Sequence, residues 1–83
     1  MSQRANITLP DLGAAPVVLS LWFAGIGDTV FEGERLVEVL VAGATFDVAA
    51  PVSGKLVERR AWPRDVLQPG QVLAELELER QEA

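Results

Sequence analysis

The stretch of the chain that decides the fold is Gly27-Asp28-Thr29-Val30-Phe31-Glu32-Gly33, followed by Leu36-Val37-Glu38-Val39-Leu40-Val41. Asp28 can accept hydrogen bonds from nearby backbone amides and Gly33 can take a positive φ, so the first segment indicates a turn into a short strand. In the second segment the three valines share one face, and the glutamate and two leucines share the other. This alternation predicts a half-buried antiparallel strand.

The rest of the chain is also divided into short segments. Prolines and glycines interrupt it every eight to twelve residues or so, which is typical of an all-β sandwich or barrel. Between them lie short apolar, β-branched runs at residues 7–9, 17–23, 36–41, 45–48, 56–57 and 72–78. None of these runs has a sustained helical stripe, so we predict an all-β domain.

An internal repeat supports this prediction. Shifting the sequence by 37 positions places Asp28 on Asp65 and Gly33 on Gly70. The same shift superimposes core-type and acidic positions, namely Leu19 on Leu56, Val30 on Leu67, Leu36 on Leu73, Glu38 on Glu75 and Val39 on Leu76. Turn and core residues therefore recur together, which predicts two similar β half-units related by a pseudo-two-fold axis.

Composition excludes several classes of function. Eighty-three residues make one domain. The chain has no cysteine and no histidine, so thiolate metal sites and the commonest general base are excluded. Its net charge is −5 with no basic stripe, which excludes a nucleic-acid binder. No signal peptide and no apolar run long enough to span a membrane are visible, so we expect a cytoplasmic protein without membrane contact.

A family resemblance runs through most of the chain. Residues 7–13 resemble the first strand and turn of lipoyl domains in 2-oxo acid dehydrogenase acyltransferases. Trp22 matches the tryptophan that these domains often have ahead of the Gly-Asp-x-Val-x-x-Gly segment. Glu38 matches the residue that opens the attachment hairpin. Residues 44–45 and 48–54 match its returning strand and exit, and residues 69–74 match the closing segment. The chain thus resembles the lipoyl/biotinyl attachment domains from end to end.

The resemblance implies a fold and a set of boundaries. The expected architecture is a flattened β-barrel or sandwich of two four-stranded antiparallel sheets, with each half of the chain supplying strands to both. The domain would occupy residues 6–78, between an N-terminal tail at 1–5 and a C-terminal tail at 79–83.

The same resemblance identifies a missing residue. Lipoyl domains place the modified lysine between an aspartate and an alanine, and those positions fall on Ala42, Gly43 and Ala44. Biotinyl domains place it eight residues before the exit proline, and counting back from Pro51 again gives Gly43. Glycine has no amine for amide formation. We therefore expect neither lipoate nor biotin at this position; the only lysine, Lys55, has the features of a solvated strand residue.

The hairpin tip is the candidate interaction surface. Leu40, Val41, Ala42, Gly43 and Ala44 carry no charge, although the first two positions are usually acidic and hydroxylic in the family. An apolar tip favours contact with a protein partner or with a second copy of the chain. The alternative is that Val41 points inward and Leu40 is an ordinary exposed leucine.

Two functions follow as hypotheses. In the first, the domain lacks the attachment lysine and is a non-catalytic binding or assembly module related to 2-oxo acid dehydrogenase or carboxylase complexes. In the second, it is a genuine lipoyl or biotin carrier, modified at Lys55 or carrying an altered lysine. We expect no catalytic residue and no metal site, because the sequence contains no clustered acid–base pair and Glu75, Glu77 and Glu79 resemble a solvated strand face. The chain is therefore predicted not to be an enzyme.

Overall fold

Eight strands in two antiparallel sheets make up the fold. The computed structural model describes residues 3–78, and its strands are β1 (Arg4–Thr8), β2 (Val17–Trp22), β3 (Thr29–Val30), β4 (Arg35–Val41), β5 (Ala44–Ala49), β6 (Gly54–Arg59), β7 (Val66–Leu67) and β8 (Val72–Leu78). Sheet A has the strand order β1-β8-β6-β3, and sheet B has the order β5-β4-β2-β7. The predicted pair of four-stranded sheets is confirmed, and each half of the chain supplies strands to both.

The two sheets repeat one pattern. A central pair, β4 with β2 in sheet B and β8 with β6 in sheet A, is flanked by one longer edge strand and one two-residue strand. The turns repeat as well: Asp28 Oδ2 accepts a hydrogen bond from Gly25 N at 2.8 Å, and Asp65 Oδ2 accepts one from Trp62 N at 2.9 Å. Hereafter, residues 37 positions apart are called equivalent.

The core lies between the inner faces of the sheets. Its fully buried side chains are Ile7, Leu9, Val17, Leu19, Val30, Leu36, Val37, Val39, Leu56, Leu73 and Leu76. Burying the equivalent pair Leu36 and Leu73 removes both from water, which stabilises each half by about 2 kcal/mol relative to an exposed leucine.

Leu36 contradicts the simple alternation of β4. Strict alternation predicts that it faces outward with Glu38, but its side chain is completely buried. The cause is a bulge, because the pairing of β4 with β5 shifts between Arg35 and Val37. An extra residue in one strand lets two successive side chains face the same side.

Candidate functional site

The predicted site is the β4–β5 hairpin, and its turn contains only two residues. Ala42 and Gly43 link Val41 to Ala44, which face each other as the last pair of the ladder. Both have positive φ angles, 50° at Ala42 and 77° at Gly43. Such a turn matches the right-handed twist of the flanking strands, and glycine adopts it without strain whereas alanine does not.

Gly43 lies in open space at this tip. A Cβ at Gly43 would have no described atom within 4 Å apart from its chain neighbours. The position would therefore accept a side chain sterically, at the backbone cost of a positive φ. Ala42 and Ala44 are also exposed.

The two other tip residues face opposite ways. Val41 is half-buried and packs against the core. Leu40 faces outward from sheet B and is 42% exposed. The inward valine agrees with the alternative considered for the tip, so the case for an interaction surface depends on what surrounds Leu40.

Leu40 belongs to a row of apolar side chains on the outer face of sheet B. Val66 of β7 lies opposite Val18 of β2, Val18 lies opposite Leu40 of β4, and Leu40 lies opposite Thr45 of β5. Directly opposed residues share one face of a sheet, with Cβ atoms about 5 Å apart. We call Val66, Val18 and Leu40 the apolar row. Leu21, 40% exposed, lies opposite Glu38 in the next row.

The equivalent row on sheet A is polar throughout. Thr29 lies opposite Lys55, Lys55 opposite Glu77, and Glu77 opposite Arg4. We call Lys55, Glu77 and Arg4 the charged row. Lys55 is equivalent to Val18 and Glu77 to Leu40, so the fold itself does not require apolar residues at these places.

Sequence reasoning found only one end of this surface. It singled out Leu40 but missed Val18, Leu21 and Val66, which lie on other strands. The sequence did contain a signal for two of them. The 37-residue shift aligns the apolar residues Val18 and Leu21 with the charged residues Lys55 and Glu58. Their position on one face required the strand register.

The outer face of sheet A is organised around Glu75. This carboxylate is mostly buried and accepts a hydrogen bond from Arg60 Nε at 2.9 Å, while Arg4 Nη1 lies 3.5 Å from its other oxygen. Glu58 lies within 3.7 Å of Arg4 and 3.5 Å of Arg60. The hydrogen bond from Arg60 holds the pKa of Glu75 below its ordinary value. The expectation that Glu75 is a solvated residue was therefore wrong; Glu79 lies outside the described residues.

The two tryptophans lie in different environments. Trp22 donates a hydrogen bond from Nε1 to the Ala61 carbonyl at 3.0 Å and packs against the core. Trp62 is exposed beside Arg64 in the second turn. Over residues 3–78 no group of histidine, cysteine or carboxylate side chains is arranged to hold a metal ion. The same range has no helix that could cross a membrane.

Comparisons with known proteins agree with this architecture. The biotin/lipoyl family model, described as "Biotin-requiring enzyme", matches residues 5–76. The lipoamide acyltransferase component of the branched-chain alpha-keto acid dehydrogenase complex of Pseudomonas putida is 35% identical over 88% of this chain and 18% of its own length. The dihydrolipoyllysine-residue acetyltransferase component of the pyruvate dehydrogenase complex of Corynebacterium glutamicum is 30% identical over 86% of this chain and 11% of its own.

A solved structure shows the same fold. The lipoyl domain of the 2-oxoglutarate dehydrogenase complex from Azotobacter vinelandii superimposes with a TM-score of 0.63 at 19% identity, covering 95% of this chain and 96% of that one. The chain spans less than a fifth of the length of the curated relatives it matches. Lipoyl domains are carrier modules and not catalysts in themselves, so the prediction that this chain is not an enzyme is confirmed. The chain belongs to the biotin/lipoyl attachment family and is related to the acyltransferases of 2-oxo acid dehydrogenase complexes.

Proposed function

We propose that this chain is a lipoyl-type domain without an attachment lysine, which works as a non-catalytic binding or assembly module. The apolar row and the uncharged tip of the β4–β5 hairpin would contact a protein partner in a 2-oxo acid dehydrogenase or carboxylase-type complex. Gly43, at the open tip of the β4–β5 turn, supports the first part of the proposal. A swinging arm needs a primary amine there, and glycine supplies none.

The position of the only lysine supports the same reading. Lys55 lies within β6 on sheet A, opposite Thr29 and Glu77. The tip lies on sheet B, at the turn between β4 and β5. A lysine in the middle of a paired strand differs from a lysine presented on a two-residue turn, so we assign it to the charged surface of sheet A.

The observation that carries the second part is the apolar row. Val18 and Leu40 occupy places that hold Lys55 and Glu77 on the other sheet, where the fold tolerates full charges. Val66 and Leu40 are 60% and 42% exposed with the half-buried Val18 between them, and contiguous apolar surface of this kind is found at interaction sites. A protein partner would cover this row together with the uncharged tip.

An attachment assay tests the first part. The protein is incubated with a lipoate ligase or a biotin ligase, the corresponding acid and ATP, and its intact mass is recorded. We expect no gain in mass, whereas the double variant Ala42→Asp/Gly43→Lys, which restores the aspartate-lysine-alanine sequence of lipoyl domains, should gain one lipoyl group. A stoichiometric gain on the unaltered chain would overturn the proposal, and its loss in Lys55→Arg would assign the modification to Lys55.

A binding assay tests the second part. Calorimetric titration against the purified components of a branched-chain 2-oxo acid dehydrogenase complex should detect binding to one of them. Leu40→Glu places at the tip the residue type found at its equivalent, Glu77, and should weaken that binding about tenfold or more, because a charge would be buried unpaired. Glu77→Gln on sheet A is the matched control and should leave affinity unchanged. Absence of binding to every component, or equal losses in the two variants, would contradict an interaction surface on sheet B.

A further inference from the structure

The free edge of sheet B is a second surface of the same hairpin. Over residues 3–78, β5 pairs only with β4. Antiparallel pairs alternate between hydrogen-bonded and non-hydrogen-bonded, and Val41 and Ala44 flank the two-residue turn as a hydrogen-bonded pair. At the other end Ala50 N donates to Glu34 O at 2.8 Å, which keeps the same alternation. The backbone groups of Thr45 and Asp47 therefore point away from β4, toward the open edge.

This edge lacks the protection found on the other three. The edge strands β3 and β7 have only two residues each, and β1 carries Arg4 and a bulge between Ile7 and Thr8. β5 is six residues long and contains neither lysine nor proline. Its one charge, Asp47, lies 3.7 Å from Arg35 of the neighbouring strand. Long edges without such protection are templates for pairing with another strand.

Phe46 marks the centre of the open edge. It lies opposite Val39 and shares its face, and Val39 is opposite Leu19, so all three point toward the core layer. Val39 and Leu19 are essentially inaccessible, whereas Phe46 remains 44% exposed. In sheet A the corresponding place opposite Leu76 is occupied by Ala5. Sheet B therefore carries a large core-facing aromatic side chain that residues 3–78 leave nearly half exposed.

We propose that a second copy of this chain covers the edge, with the two β5 strands paired antiparallel about a two-fold axis at Phe46. In this register Thr45 lies opposite Asp47 of the second copy, where the hydroxyl can donate to the carboxylate, and Ala44 lies opposite Val48. The outward-pointing groups of Thr45 and Asp47 make the inter-subunit hydrogen bonds. The two Phe46 residues form the close, non-hydrogen-bonded pair, with Cα atoms about 4.5 Å apart.

Charge and strand length select this register. An axis at Asp47 would set two carboxylates directly opposite each other, which is unfavourable across a strand pair. An axis at Thr45 would pair the strand with the turn residues instead of its full length. Centring on Phe46 pairs residues 44–48 of both copies and extends the core layer across the joint.

This inference goes beyond the proposed function and does not depend on it. The edge is distinct from the outer face of sheet B, so a dimer would leave the apolar row of each copy open to a protein partner. Pairing through β5 is also independent of whether a lysine is modified. The assays for the two are therefore separate.

Sedimentation equilibrium tests the dimer. The mass should rise with concentration from the 8.9 kDa of one chain toward twice that value. The double variant Thr45→Arg/Phe46→Ala gives β5 the residues that β1 has at the corresponding places, Arg4 and Ala5, and should remain a monomer with an unchanged β-sheet circular dichroism spectrum. Asn6→Arg adds a charge to the β1 edge of sheet A, and this variant should dimerise like the unaltered chain.

Amide hydrogen exchange provides a reading that needs no variant. The amides of Thr45 and Asp47 should exchange more slowly as the protein concentration rises, whereas the outward-facing amides of β1 should not change. A monomeric mass at every concentration overturns the proposal. So does a dimer that persists in Thr45→Arg/Phe46→Ala, or one in which the exchange of Thr45 and Asp47 is independent of concentration.

Discussion

Sheets A and B have one strand pattern, and their outer faces differ at equivalent places. Sheet A carries Lys55 and Glu77 where sheet B carries Val18 and Leu40. The centres of the inner faces, by contrast, agree: Leu36 and Leu73 are both completely buried. The core constrains both sheets equally, because each must bury the same apolar layer. The outer faces are not constrained in this way and can differ.

The difference extends to how each face treats its central glutamate. On sheet A, Glu75 is held between Arg60 and Arg4. On sheet B the equivalent Glu38 lies between Leu21 and Asp47, and no ion pair to Glu38 occurs among residues 3–78. The glutamate of sheet A is therefore paired with arginines, whereas the glutamate of sheet B has a leucine on one side and a second carboxylate on the other. This supports assigning sheet A to stability and sheet B to contact.

The largest expected effect tests the common core. Leu36→Ala and Leu73→Ala should each lower the free energy of unfolding by about 3 kcal/mol, because both remove a fully buried side chain and leave a cavity. Urea denaturation of the two variants measures this. If one substitution were nearly neutral, the two sheets would not contribute equally to the core. The comparison of their outer faces would then lose its basis.

A smaller, pH-dependent effect should separate the two glutamates. The pKa of Glu75 lies below its ordinary value of 4.5 in the folded chain, chiefly because Arg60 donates a hydrogen bond to it. A lowered folded-state pKa stabilises the fold above the unfolded-state pKa, and this stabilisation disappears as the pH falls through the folded value. Glu75→Gln should therefore lower the urea midpoint at neutral pH, and its difference from the unaltered chain should narrow in acid.

Glu38→Gln is the matched control for this experiment. We expect no loss in its urea midpoint at neutral pH, because no ion pair to Glu38 occurs among residues 3–78 and Asp47 lies opposite it. Equal losses in the two variants would mean that the Arg60–Glu75 pair does not distinguish the faces.

The smallest effect concerns the equivalent turns. Gly27 and Arg64 are equivalent and both have positive φ angles, 93° and 75°. An arginine is strained there and glycine is not, so Arg64→Gly should raise the free energy of unfolding by about 0.5–1 kcal/mol, and Gly27→Ala should lower it by about 1 kcal/mol. Thermal unfolding followed by circular dichroism measures both. A loss of stability in Arg64→Gly would show that its side chain contributes more than the backbone strain costs.

Much of the fold was predictable because local patterns carried it. The alternation in β4, the turns at Asp28 and Asp65 and the 37-residue repeat predict an all-β domain of two similar half-units, and the family resemblance implies the two four-stranded sheets. The predicted run at 72–78 coincides with β8. β1 begins at Arg4, inside the segment expected to be an N-terminal tail. Strand ends are weakly encoded locally, since they depend on the partner strand.

The misses share one physical cause. Strict alternation puts Leu36 on the outer face, but a bulge turns it inward, and Glu75 is shielded from solvent beside Arg60, which directly follows β6. Both depend on which residues face each other across strands, and no local period carries that information.

The residue pattern alone is enough to establish an all-β domain with two similar halves, and it predicts that Gly43 stands where the family carries its lysine. The reason is that side-chain periodicity and turn chemistry act over a few residues. The strand register of the folded molecule was needed to show that Val18, Leu40 and Val66 form one apolar row and that Phe46 lies at the edge of sheet B formed by β5. Strand register and sheet order bring residues from distant segments side by side, so surfaces of this kind exist only once the sheets have formed.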